Sequence, residues 1–177
     1  MNQGMLHCYT GDGKGKTSAA FGMALRAIGA GKRVLIGQLM KGVACHECRG
    51  LLAVDQALGF EQLTLIRKWD HSFILHRPSP AQQAMGIEVF DAFFDQLQRD
   101  CYDLAILDEA FPAHSLGVLP GEALETLVAT RPGPVELILT GRNAPPAILD
   151  KADLVTVMEP VRHYFDRGVT AREGIDF

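Results

Sequence analysis

Residues Tyr9–Gly22 read YTGDGKGKTSAAFG, and this stretch decides the fold. It lies between an apolar run, Met5–Tyr9, and a helical pattern, Lys16–Ala30. A phosphate loop is a glycine, four free positions and Gly-Lys-Ser/Thr, set between a strand and a helix. Gly15, Lys16 and Thr17 supply the closing triplet, but Thr10 stands where the opening glycine belongs, and Gly11 and Gly13 lie inside the loop. The physics survives that change. Glycines let backbone N–H groups converge on phosphate oxygens, and the helix opening at Lys16 presents free N–H groups and a favourable dipole. The Lys16 ammonium suits phosphate oxygens, and Lys14 adds a second cation. The Thr17 hydroxyl falls where a magnesium ion on those phosphates would be. The alternative is a plain glycine-rich turn, which the order of strand, loop and helix argues against.

Two further stretches follow strands. YDLAILDEA, Tyr102–Ala110, is an apolar strand delivering acids at its carboxyl end, where Asp108 or Glu109 can hold magnesium directly or through water. The competing reading is a strand capped by two solvated acids. ILTGRNAP, Ile138–Pro145, ends another strand in Thr140, Gly141 and Arg142; Arg142 suits a phosphate clamp, or is a surface arginine in a glycine turn. Ligands bind at the carboxyl ends of strands in open α/β sheets, where all three stretches lie.

The remaining pattern fits one domain over residues 1–177. Strands are expected at Arg33–Met40, Leu63–Ile66, Asp103–Leu107, Val135–Thr140 and Leu154–Met158. Helices are expected at Leu51–Leu58, Pro80–Arg99, Gly121–Thr130 and Pro145–Leu149. Continuously apolar strands alternating with helices predict an α/β fold: three layers, α/β/α, around a mostly parallel sheet. Residues 43–79 fit this pattern worst, and the tail over 160–177 reads as irregular. The formal net charge is −4, which argues against a general nucleic-acid binder. No signal peptide is visible and no apolar run approaches the roughly 20 residues that span a bilayer. Four cysteines, Cys8, Cys45, Cys48 and Cys101, are few for a disulfide scaffold. The expectation is a soluble, cytoplasmic protein with reduced thiols.

The motifs resemble the phosphate-loop ATP:corrinoid adenosyltransferases of vitamin B12 synthesis and salvage. The likeness rests on TGDGKGKTSAAFGMALRAIGAGKRV, on QLMKG (Gln38–Gly42), on YDLAILDEA and LTGRNAP, and on the closing DKADLVTVMEPVRHYFDRGVTAREGIDF. Family members carry threonine where Thr10 stands, so the absent glycine is a family mark. The resemblance implies a RecA-like nucleotide-binding fold. It also implies transfer of the 5′-deoxyadenosyl group of ATP to the cobalt(I) of a corrinoid, with release of triphosphate. Reduced cobalt is already a strong nucleophile, so no side-chain base need activate it. It implies that Thr10, Gly11, Asp12, Gly13, Lys14, Gly15, Lys16, Thr17 and Ser18 hold ATP with Arg142. Thr17, Asp108 and Glu109 would hold magnesium or manganese, and Lys16, Thr17 and Glu109 would serve the chemistry. His163 and Asp166 would help close the site. A flavoprotein reductant and a homodimer are the partners it suggests.

The sequence departs from the family in two places. Asp12 stands where asparagine is usual. The middle aromatic segment reads LIRKWDHSF, so Trp69 and Phe73, with His163, are the candidate corrinoid-side residues, while the family's glycine-phenylalanine pair is missing. Trp69 could equally pack beneath a loop. CHEC, Cys45–Cys48, has metal-ligand spacing, but a closed zinc site needs four ligands, and only His46 or His71 stand ready to add to the pair. Zinc is therefore not expected. Two other functions fit the motifs: a phosphate-loop nucleoside kinase with a zinc loop, and a non-catalytic ATP-responsive corrinoid-binding protein.

Overall fold

The computed structural model describes residues 3–42, 45–70, 74 and 77–176. Six parallel strands form one sheet, β1 (Leu6–Thr10), β2 (Val34–Gln38), β3 (Leu63–Arg67), β4 (Leu104–Asp108), β5 (Glu136–Thr140) and β6 (Leu154–Val157), in the order β3-β2-β4-β5-β1-β6. The helices are α1 (Lys16–Gly29), α2 (His46–Leu58), α3 (Pro80–Arg99), α4 (Ala110–Ser115), α5 (Ala123–Thr130) and α6 (Pro146–Leu149).

Side chains alternate across a strand, and here each face has its own core. Leu35, Ala105, Leu107, Leu137 and Leu139 pack with Phe90, Phe93 and Leu97 of α3 and with α4–α6. Val34, Ile36, Leu104, Ile106 and Ile138 pack with Ala20, Phe21, Ala24 and Ile28 of α1 and with α2. That is the expected three-layer α/β/α fold. The inner strands β1, β2 and β4 are buried along their whole length, whereas the edge strand β6 is exposed throughout. Helix α3 starts on a reciprocal capping box between Ser79 and Gln82, with Pro80 in its first turn.

The structure adds two features to the sequence reading. Helix α2 begins at His46, five residues before the expected start at Leu51, because the Cys45 sulfur caps it by accepting the Cys48 N–H. Cysteine lies outside the usual capping set. Helix α4 was not expected, since Pro112 masks it; proline is tolerated in a first turn, where N–H groups lack helical partners anyway. The tail contributes one short 3₁₀ turn, Tyr164–Arg167. No helix among the described residues is long and apolar enough to cross a membrane.

Candidate active site

The carboxyl ends of β1, β2, β4 and β5 open into a cavity of about 460 Å³. Its wall is the loop and first turn of α1, with Lys41, Glu47, Glu109, Pro112 and Arg142 across from them and Ile175 and Asp176 from the tail. The loop is shaped by what lies behind it. Gly13 N–H donates to the carbonyl of Met158 (2.7 Å), and Met158 N–H donates to that of Thr10 (2.8 Å). A Cβ on Gly11 or Gly13 would stand 2.4 or 2.8 Å from the Met158 oxygen, so the extension of β6 requires glycine at both positions. Gly15 caps α1 at φ 108°, a left-handed conformation that glycine adopts without strain. Lys16 Nζ turns back to the carbonyls of Gly11 (2.6 Å) and Gly13 (2.7 Å), spanning the loop it belongs to.

Asp108, at the end of β4, is fully buried. Its carboxylate accepts from Thr140 Oγ1 (2.7 Å), Thr17 Oγ1 (3.0 Å), Gln38 Nε2 (3.1 Å) and Lys41 Nζ (3.3 Å). The Lys41 ammonium also donates to Thr17 Oγ1 at 3.0 Å. Burial opposes the charge on Lys41, but Asp108 and Glu109 outweigh it and hold its pKa above the usual lysine value. The next residue, Glu109, takes a left-handed conformation (φ 58°) that turns the chain straight into α4, and its N–H donates to Thr140 Oγ1 (3.0 Å). Burial first, and then the neighbouring Asp108 charge, raise the Glu109 pKa against the pull of Lys41, Lys16 and Arg142. Burial and then Arg142 push Lys16 the other way, below the lysine range.

These oxygens suit a hard divalent cation. Thr17, Asp108 and Glu109 offer one hydroxyl and two carboxylates, the donor type that magnesium or manganese takes beside phosphate. The Lys41 ammonium bridging Thr17 and Asp108 shows that a positive charge is favoured there. Among the described residues, no three of the types His, Cys, Asp and Glu group as a metal cage.

Arg142 reaches the cavity because Gly141 (φ 135°) lets the chain pass over Pro112, 2.1 Å from where a Cβ would stand. Its guanidinium donates to the carbonyl of Asp12 (3.1 Å), and its Nε lies 3.8 Å from the exposed Asp12 carboxylate. The tail runs along the cavity as a strap and adds Ile175 and Asp176 to its wall. The Asp176 carboxylate binds Lys14 and the Tyr164 hydroxyl and accepts from the N–H of Arg172 at 2.9 Å. Lys14 and Arg172 both lie over the Tyr164 ring, 5.1 and 4.8 Å from its centre.

The structure therefore brings together Gly13 to Ser18, Glu109 and Arg142, with Asp108 and Thr10 in the supporting shell behind them. Gly11 and Asp12 stand in the same loop but outside the cavity wall, and among the described residues Trp69, His163 and Asp166 do not line it. Trp69 is half-buried against the α3-side core, and His163 caps the 3₁₀ turn by accepting from the Phe165 N–H at 3.1 Å. Asp166 is exposed, and Phe73 and His71 lie outside the described residues. Sequence reasoning missed Lys41, Glu47, Gln38 and Asp176. Lys41 could have been found, since it follows a strand end as the other site residues do. No local signal marks Asp176, which meets Lys14 across 162 positions of chain.

A parallel sheet with a glycine-lysine loop at its switch of direction, an acidic strand end and converging cations defines a phosphate-loop nucleotide-binding protein. The chain belongs to the ATP:corrinoid adenosyltransferase family, matching the group described as ATP:corrinoid adenosyltransferase BtuR/CobO/CobP over residues 2–177. It is 35% identical over 175 residues to the corrinoid adenosyltransferase CobA of Salmonella typhimurium, covering 99% of this chain and 86% of that one. It is 36% identical over 175 residues to the corrinoid adenosyltransferase of Escherichia coli K12, with the same coverage. It is 30% identical over 177 residues to that of Pseudomonas aeruginosa, covering 99% and 84%. The likeness thus runs through the middle segment and the tail as well as the phosphate loop.

Proposed function

We propose that this protein transfers the 5′-deoxyadenosyl group of ATP to the cobalt(I) of a corrinoid substrate and releases triphosphate. The observation that carries the reading is the convergence of Lys14, Lys16, Lys41 and Arg142 on one phosphate-loop cavity, in a chain of this family. The bond to form is cobalt–carbon and the bond to break is C5′–O, whose electron pair leaves with triphosphate. The protein's task is to hold that polyanion and present the ribose carbon in line. The loop N–H groups of Lys14–Ser18, with the Lys16 and Arg142 side chains, grip the phosphates. Asp108 orients Thr17, and Thr17, Asp108 and Glu109 would hold a magnesium or manganese ion. Such an ion, when bound, neutralises charge on the leaving group. Lys41 lies on the same oxygens and is free to turn to phosphate once a metal takes its place.

The chain works as one domain in this reading, in the cytoplasm, with a flavoprotein delivering the electron that makes cobalt(I) and with a second copy as its partner. Trp69, Phe73 and His163 are assigned to the corrinoid side. Trp69→Ala should then impair turnover from cobalt(II) more than turnover from pre-reduced cobalt(I); equal losses in the two assays would make Trp69 a packing residue only.

Supplying ATP, magnesium and chemically reduced corrinoid tests the whole reading. Triphosphate and a cobalt–carbon bond are expected. ADP with a phosphorylated nucleoside, or tight binding of both substrates without product, would overturn it.

A further inference from the structure

The geometry points to Cys45 and Cys48 as a redox-active dithiol, a reversible disulfide site linked to the nucleotide cavity through Gln38. The pair opens α2 as Cys-X-X-Cys, with Cys45 at the cap and Cys48 one turn on. The Cys45 sulfur accepts the Cys48 N–H at 3.4 Å, and its own S–H lies 3.4 Å from the Glu47 carboxylate. Gln38, fully buried at the end of β2, touches both: its Nε2 lies 3.6 Å from Cys45 Sγ and its Oε1 accepts from Cys48 Sγ at 3.7 Å. The same Nε2 donates to Asp108, 3.1 Å away, and Asp108 in turn holds Thr17 and Lys41.

Thiol pairs at a helix start are the arrangement that makes one sulfur a nucleophile and the other its resolving partner. The hydrogen bond from Cys48 outweighs burial and the nearby Glu47 carboxylate, and brings the Cys45 thiol down to about 7. The neighbouring Cys45 side chain, followed by burial, drives the Cys48 thiol strongly upward, with Arg67 opposing and Asp108 assisting. Both cysteines are buried, and Cys45 is the more exposed residue, 7% against 3% for Cys48. Two sulfurs do not close a zinc site.

The oxidant is a low-molecular-weight disulfide. The Cys45 thiolate attacks one of its sulfurs, forms a mixed disulfide and releases one thiolate. Cys48 then gives up its proton to solvent and attacks the Cys45 sulfur, forming the internal disulfide and releasing the second thiolate. Two protein thiols are oxidised and one disulfide is reduced to two thiols. Gln38 Oε1 thereby loses its Cys48 S–H donor, and a buried amide left short of a partner moves to recover one. Its bond to Asp108 is the one within reach, so oxidation loosens the carboxylate that positions Thr17. Only this consequence rests on the ATP reading.

The test equilibrates the reduced full chain with glutathione disulfide, maps the cysteines by peptide mass and measures ATP binding by calorimetry with magnesium present. A Cys45–Cys48 disulfide is expected, with exposed Cys101 carrying glutathione instead. ATP should bind about tenfold more weakly to the oxidised protein, the equivalent of one hydrogen bond, and dithiothreitol should restore it. The Cys45→Ser, Cys48→Ser double variant should bind ATP equally before and after the oxidant, which removes Cys101 as the cause. Glutathione retained on Cys45 without an internal disulfide would overturn the dithiol, and an internal disulfide that leaves ATP affinity unchanged would overturn the link through Gln38. The disulfide is read by mass in every case, so failure of the nucleotide reading shows separately, as reduced protein that binds no ATP.

Discussion

Lys16 and Glu109 face each other across the cavity with opposite perturbations, each a consequence of burial. Lys16→Ala removes a cation from a departing polyphosphate and leaves the fold alone, since the side chain bonds only to its own loop. The expected result is a loss of about a hundredfold or more in kcat/KM with unchanged far-ultraviolet dichroism. A threefold loss would take Lys16 out of the chemistry. Glu109 gives a pH prediction. A carboxyl whose pKa is higher in the folded chain holds its proton more tightly there. Stability then falls as pH rises through the window between the ordinary carboxylate value and the raised one, and is lowest above it. Nucleotide-free protein should show that fall in denaturant midpoints taken from mildly acidic to mildly alkaline pH. Glu109→Gln should flatten it, raise stability at neutral pH and remove activity. Stability that follows pH equally in wild type and variant would show that Glu109 is not the group responsible.

At the scale of elements, the site depends on how closely β6 approaches the phosphate loop. Gly13→Ala drives a Cβ into the Met158 carbonyl and must displace either the loop or the strand, at a cost of about 1–3 kcal/mol. Gly22 is the internal control. It lies mid-way along α1 with nothing within 4 Å of an added Cβ, so Gly22→Ala should stabilise by about 0.5–1 kcal/mol through helix propensity. Urea unfolding of both variants, with ATP affinity measured alongside, checks the pair; equal effects would mean that the close approach to β6 has no energetic weight. Strand order and helix starts show how far the sequence could be read. Among the described residues, five of the six helices and all six strands were legible from apolar runs, helical periodicity and turn residues. Helix α4 and the first turn of α2 were not, because Pro112 and Cys45 sit outside the usual start signals.

For the molecule as a whole, the tail over 160–176 brings the far end of the chain to the cavity. Asp176, nearly buried, joins Lys14, Tyr164 and Arg172 in one ionic clasp. Asp176→Asn keeps the size and removes the charge. It should speed tryptic cleavage at Arg167 and Arg172 and raise the KM for ATP, with kcat changed less than KM. Cleavage at the wild-type rate would show that the strap holds without the clasp. On the proposed reading ATP phosphates would compete with Asp176 for Lys14, so the clasp is expected to rearrange when nucleotide binds.

By itself the sequence determined the local parts: a strand, an anion-binding loop and a helix at Tyr9–Gly22, acids at the end of β4 and an arginine after β5. Each of these follows from short-range chemistry, such as periodicity, glycine conformations and the free N–H groups of a helix start. Only the tertiary structure decided which distant residues meet them. Lys41 on Thr17 and Asp108, Gln38 between Asp108 and two sulfurs, Met158 behind the loop and Asp176 on Lys14 are contacts across long stretches of chain. They are set by the order of strands in the sheet, and no local pattern encodes that order.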